Sequence, residues 1–185
     1  MIYIISGVAK SGKTYLTKKI LKKRHISSFS TDYLMMSLSL ANPNLGVNHL
    51  EDDKIVAKNL EPYLYSMIST MIQNGIDYLI EGVHFYPEFS YRLLTDFSGK
   101  IKLIMLGYAK VNPIEKVSEL QRYQNDIENC WYKDYSYEEL KNLVLYLISV
   151  SKELNNLCLK FGIQYHEITN IKKQSNKIIR ELFKN

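Results

Sequence analysis

Residues 2–16 read IYIISGVAKSGKTYL, and this stretch decides the fold. The opening Ile-Tyr-Ile-Ile-Ser has the length and apolarity of a short buried strand. Glycine at Gly7, four intervening residues and then Gly12-Lys13-Thr14 give the spacing of a phosphate-cradling loop, the Walker A pattern. The glycines permit a backbone curl whose N–H groups point inward at phosphate oxygens, and a helix opening at the loop adds its positive end. In such a loop a lysine at the position of Lys13 reaches the outer phosphates and a hydroxyl at that of Thr14 joins the shell of a Mg²⁺ ion. Gly7, Val8, Ala9, Lys10, Ser11, Gly12, Lys13, Thr14 and Tyr15 are therefore the candidate nucleotide contacts, with ATP and Mg²⁺ the implied cofactors.

Outward from the loop, strand and helix signals alternate. A helix of about ten residues follows it to near Lys23, and residues 25–30 read as a second strand. A polar loop at 41–49 interrupts the pattern. From Asp53 to Gln73, apolar residues return at helical spacing until Asn74-Gly75, with Pro62 predicting a kink or restart. Residues 76–81 form a third expected strand, 87–97 a short helix, and 101–106 a strongly apolar fourth strand. Asn112-Pro113 opens a helix expected to run to about Cys130. Ser136 and Glu139 have capping-box spacing ahead of a long helix that Gly162 ends. Residues 164–168 and 171–183 complete the series as strand and helix. The result is an α/β chain with a five-stranded, mainly parallel sheet and helices on both faces, whose ligands bind at the carboxyl ends of the strands.

The 185 residues suit one domain, 1–185, with a lid at about 112–135. Two cysteines without metal-like spacing and the absence of a long apolar run fit a cytoplasmic protein with no membrane association. A net charge of +5 is spread along the chain, so composition gives no expectation of a nucleic-acid partner. Oligomeric state is not readable.

Two constellations point to chemistry beyond nucleotide binding. In FSTDYL, Asp32 follows the second strand on the same sheet edge as the loop, where a carboxylate can deprotonate an acceptor hydroxyl. In YLIEGVHFYP, Glu81 ends an apolar strand where an acidic group contacts Mg²⁺, and His84 and Tyr86 follow on the loop toward the acceptor. Tyr33 and Arg92 complete the acceptor-side candidates. The guanine-reading Asn-Lys-x-Asp of GTPases does not occur. Phosphoryl transfer also needs a cation from a closing lid. Arg122 is the only arginine in the lid segment, with Lys116 and Lys133 as lesser candidates. The adenine site falls by analogy between the lid and residues near Thr169-Asn170.

Gly7 to Thr14, Ser30-Thr31-Asp32 and Glu81-Gly82-Val83-His84 followed by Pro87 together resemble the P-loop small-molecule kinases of the nucleoside/nucleotide-kinase type. The pattern is most similar to that of 2-phosphoglycerate kinase and more distantly to uridine kinase and phosphoribulokinase. The resemblance implies an Asp base after the second strand, an acidic residue at the position of Glu81 and a mobile lid over a five-stranded sheet. Where 2-phosphoglycerate kinase usually has an arginine soon after Ser-Thr-Asp, this chain has Leu34, Met35 and Met36. The expected activity is ATP- and Mg²⁺-dependent transfer to a hydroxyl of a small metabolite. A nucleotide-responsive binding module, a toxin-type kinase and a polynucleotide 5′-hydroxyl kinase would use the same loop.

Overall fold

A computed structural model describes residues 1–126 and 130–184. Strands β1 (Ile2–Gly7), β2 (Ser27–Ser30), β3 (Tyr78–Glu81), β4 (Ile101–Gly107) and β5 (Tyr165–Glu167) form one sheet in the order β2-β3-β1-β4-β5. Every pairing is parallel. β1 is central, with Ile4 opposite Ile80 on one side and Leu103 on the other. Parallel neighbours need crossovers, and these are supplied by helices on both faces.

Alternation along β1 sorts its side chains between the faces. Ile2 and Ile4 pack with Leu60, Leu64 and Ile68 of α3 (Asp53–Gln73), Leu93 of α4 (Pro87–Asp96) and Cys158 of α6 (Tyr137–Phe161). Ile5 faces the other way, onto Leu16 and Ile20 of α1 (Lys13–Leu21) and Ile178 and Leu182 of α7 (Ile171–Leu182). A third cluster joins Val8 to Val117 of α5 (Pro113–Tyr123) and to Leu140, Val144 and Leu147 of α6. It builds a wall over the carboxyl edge of the sheet.

The expected sheet and helix order is observed, with three local differences. An additional helix, α2 (Thr31–Ala41), precedes a 3₁₀ turn at Pro43–Leu45, where the sequence reading assigned no helix before the loop. Its serines and weakly periodic Leu and Met residues hide the period, and Leu34, Met35 and Leu38 are only partly buried on the core. α3 runs through Pro62 without a restart, because its packing on the sheet offsets the lost hydrogen bond. α5 ends at Tyr123 and passes into a 3₁₀ turn, Gln124–Asp126. The remainder of the expected helix toward Cys130 includes residues 127–129, which lie outside the described residues.

Leu64 is fully buried between α3 and the sheet. Leu64→Ala should cost about 2–5 kcal/mol and lower Tm by roughly 5–15 °C. A calorimetric loss under about 1 kcal/mol would show that α3 does not seat on the sheet as described.

Candidate active site at the carboxyl edge of the sheet

The loop after β1 is shaped from both ends. Gly7 has φ +123°, and a Cβ there would lie 1.9 Å from the carbonyl oxygen of Leu106 on β4. No side chain fits. Gly12, at φ +96°, closes the loop against Ile171 of α7, which a Cβ would approach to 2.6 Å. Between them, successive carbonyls are held by named donors. The Lys13 ammonium donates to the carbonyls of Gly7 (3.1 Å) and Val8 (2.8 Å), and the Tyr108 hydroxyl to that of Ala9 (2.9 Å). Lys116, only 4% exposed, reaches the carbonyl of Lys10 at 3.4 Å. Lys10 itself lies over the rings of Tyr132 (4.7 Å) and Trp131 (5.0 Å). With the carbonyls so engaged, the N–H groups from Ala9 to Tyr15 have no acceptor among the described residues. Such a row of unpaired donors at a helix start fits phosphate oxygens. Tyr15 is 38% exposed on the first turn of α1.

Burial pushes the Lys13 ammonium down to about 8, against the opposing pull of the Glu81 and Asp32 charges. The Thr14 hydroxyl donates to both Glu81 oxygens, at 3.1 and 3.3 Å. Burial raises the Glu81 carboxyl, while Lys13 and the Thr14 bond draw it back. The two residues expected at a metal thus meet. One hydroxyl and one carboxylate suit Mg²⁺, which keeps several waters and takes phosphate oxygens instead of an all-protein cage. No group of three or more His, Cys, Asp or Glu side chains that could hold a metal ion occurs among the described residues.

Asp32 occupies the first turn of α2 and is exposed, with its charge felt at Lys13, Lys10, Glu81 and His84. Its position is fixed by the residue before it. Thr31 is fully buried, its Oγ1 lies 2.6 Å from Nδ1 of His84, and a Cβ on Gly82 would meet that same oxygen at 1.7 Å. His84 is 1% exposed, and burial pushes it down to about 4, so the imidazole is neutral near pH 7. Expected on the loop facing an acceptor, His84 instead lies under that loop and ties it to the start of α2.

The remaining candidates separate. Tyr86 lines a narrow crevice, with a cavity volume of only about 10 Å³, between the phosphate loop and α6, together with Gly7, Val8, Asp53, Val83, Tyr146 and Leu147. Tyr33, 72% exposed, projects from α2. Arg92 is not brought to this crevice. Its guanidinium pairs with Glu61 at 3.4 Å and stacks near Phe89 and Tyr65 in another groove, between α3 and α4. Arg122 is exposed in the last turn of α5. Sequence reasoning missed Asp53, next to the helix-capping Asp52, and the loop brace Tyr108, and it named Lys116 only as a lesser lid cation, not as a brace of the loop. A capping carboxylate next to a second carboxylate was the available signal for Asp53.

No protein-family profile matches the chain, and no curated protein matches its sequence. Solved structures do. A shikimate kinase from Bacteroides thetaiotaomicron superposes with a TM-score of 0.61 at 13% identity, covering 100% of this chain and 99% of the other. An uncharacterized protein from Eubacterium ventriosum gives 0.58 at 12% identity over 100% and 99%. A shikimate kinase from Acinetobacter baumannii in complex with shikimate gives 0.56 at 14% identity over 98% and 92%. The chain therefore has the P-loop α/β fold of these kinases. The resemblance to 2-phosphoglycerate kinase, uridine kinase and phosphoribulokinase rests on the sequence motifs alone. No described helix is long and apolar enough to cross a membrane.

Gly82→Ala forces its new methyl onto Thr31, whose side chain is itself enclosed. The variant should lose about 1–3 kcal/mol, and Thr31→Ala combined with it should recover part of that loss. Equal stability of Gly82→Ala and the parent in urea titrations would disprove the close approach.

Proposed function

We propose that this protein is a phosphotransferase that moves the terminal phosphoryl group of ATP to a hydroxyl of a small molecule. One observation carries the reading. Lys13, the Thr14–Glu81 pair and Asp32 converge on one sheet edge beside a loop with unpaired N–H donors. A module that only held nucleotide would need no carboxylate in the position of Asp32. The fold shared with shikimate kinases supports the same reaction class.

In this scheme the loop N–H groups and Lys13 bind the phosphates, and Lys13 balances charge that develops on the transferring group. Thr14 and Glu81 would hold Mg²⁺, which would supply neutralisation of phosphate charge. Asp32 accepts the proton of the acceptor hydroxyl as its oxygen bonds to phosphorus and the bond to the bridging oxygen of ADP breaks. Thr31 and His84 keep Asp32 in place from below. Arg122, with the segment at 112–135, provides the lid-side cation on closure, and Lys116 braces the loop from α5.

The test is incubation with Mg²⁺-ATP and pooled glycerates, nucleosides, sugars, amino sugars and nucleotide sugars, read by mass spectrometry. One phosphorylated product is expected, and Asp32→Asn should slow its formation by about 10²–10⁴-fold with ATP still bound. Tight ATP binding without transfer, indifferent to Asp32→Asn, would replace the enzyme with a binding module.

The depressed Lys13 ammonium gives a pH signature. In the free protein it loses its proton as pH rises through about 8, whereas the bound triphosphate favours the charged form. ATP affinity should be level below pH 8 and weaken above it by up to about tenfold per pH unit. Calorimetric titration from pH 7 to 10 measures this, and a slope that survives in Lys13→Met would assign it to another group.

A further inference from the structure

We propose that Lys10 is a second cationic phosphate ligand of the loop, whose ammonium moves from the rings of Trp131 and Tyr132 onto the terminal phosphate of a bound triphosphate. This rests on the kinase reading and gives that site a catalytic cation from the loop itself, beside the lid-side Arg122. The backbone supplies the first observation. Lys10 has φ +58° and is the one non-glycine residue at positive φ among the described residues. Glycine takes this conformation freely, whereas an L side chain is crowded there by the following carbonyl. The chain thus carries a lysine where glycine would fold more easily, and strain of this kind gathers at functional sites.

The second observation is where the side chain ends. Its ammonium lies 4.7 Å from the centre of the Tyr132 ring and 5.0 Å from that of Trp131. Tyr132 is fully buried and packs in one cluster with Val8, Tyr108 and Val117, so the core seats this ring against the loop. Trp131 stands edge-on to Tyr132 at 5.5 Å and is exposed. The loop is held from the other side as well, since Lys116 reaches the Lys10 carbonyl at 3.4 Å. The backbone of Lys10 is thus braced, while its charged end rests on ring faces.

The charges around Lys10 belong to the same site. Burial pushes its ammonium down, and the Asp32 charge is among those that draw it back. Lys13, lowered above all by burial, is lowered further by Lys10. Two ammoniums that disfavour each other beside a row of loop N–H donors are both relieved by a bound anion. Ring faces hold a cation weakly near solvent, and a charge-assisted bond to a phosphate oxygen is the stronger contact. The exchange is therefore favourable once a triphosphate sits in the loop. ADP lacks the group that Lys10 takes. During transfer the terminal phosphorus bonds to the acceptor oxygen as its bond to the bridging oxygen of ADP breaks, and that oxygen keeps the electron pair. Lys10 balances the charge on the moving group.

Calorimetric titrations with Mg²⁺-ADP and with the Mg²⁺ complex of a non-hydrolysable ATP analogue make the test. Lys10→Met should weaken the triphosphate by roughly 10–100-fold and leave ADP within about threefold. Lys10→Gly, which takes the positive φ without strain, should show the same selective loss, and Lys10→Arg should restore most of the difference. Trp131 is the only tryptophan of the chain, so its emission reports the ammonium directly. That emission should change with the triphosphate and not with ADP, and should respond to neither in Lys10→Met. With a phosphorylated product in hand, kcat of Lys10→Met should fall by about 10²–10³-fold. Equal weakening of both nucleotides, a triphosphate preference retained in Lys10→Gly, or a Trp131 response that persists in Lys10→Met would overturn the proposal and leave the kinase standing. Lys10-dependent preference for the triphosphate without transfer to any acceptor would keep the phosphate ligand and remove the kinase. Failure of both nucleotides to bind at millimolar concentration would overturn both.

Discussion

The contact between Gly7 and the Leu106 carbonyl is the constraint on which the rest of the molecule turns. β1 can lie in parallel register beside β4 and leave the sheet into a phosphate loop only if the residue at the exit has no side chain and takes φ +123°. The next N–H, that of Val8, then bonds to the same carbonyl at 3.0 Å. From there the carbonyls of the loop turn toward Lys13, Tyr108 and Lys116, and its N–H groups are left for a ligand. One missing Cβ thus couples the sheet, the α5 and α6 wall and the candidate nucleotide site. Tyr108 adds a second tie, since its N–H is bonded to the Ser151 hydroxyl of α6.

Electrostatics at the site follow from putting charges of both signs where water is scarce. Lys13 is pushed down by burial and Glu81 is pushed up by it, yet each opposes the other's displacement. Removing Glu81 would leave the buried Lys13 with the Asp32 charge as its main opposing group. The arrangement keeps a cation and a carboxylate close together without a direct bond, because Lys13 spends its donors on carbonyls and Glu81 accepts from Thr14. In the proposed reaction, incoming phosphates and metal would exchange these weak internal bonds for stronger ones.

The first strand, its loop and the helix after it were legible because their parts are local. The loop, its strand and its helix are contiguous, and a fixed spacing carries the chemistry. The regular four-residue rhythm of α3 and the Asn112-Pro113 start of α5 were equally local signals. What stayed hidden depends on packing between distant segments. His84 could be placed on a loop, but only the fold shows it buried against Thr31, 53 residues away. Asp53 reads as one more acid at a helix start, and only the fold sets it beside the phosphate loop and α6. Arg92 looked available to an anion, and Glu61 one helix away takes it. The period of α2 is obscured because the helix lies at the sheet margin with much of its surface exposed.

This difference between local and distant determinants also explains how the fold persists while sequence likeness falls to 13%. A phosphate loop requires particular residues at particular spacings, since backbone N–H groups must meet the same triphosphate in every case. The sheet requires only apolar residues in register, which many sequences supply. The crevice is built from the ends of β1 and β3 together with α3 and α6, each of which has its main energetic role in core packing. Its lining mixes buried core residues, Val8, Leu147 and Leu154, with the exposed Asp53 and Tyr146. Side-chain chemistry at such exposed positions is thus least tied to the stability of the fold, and it says more about function than overall shape does.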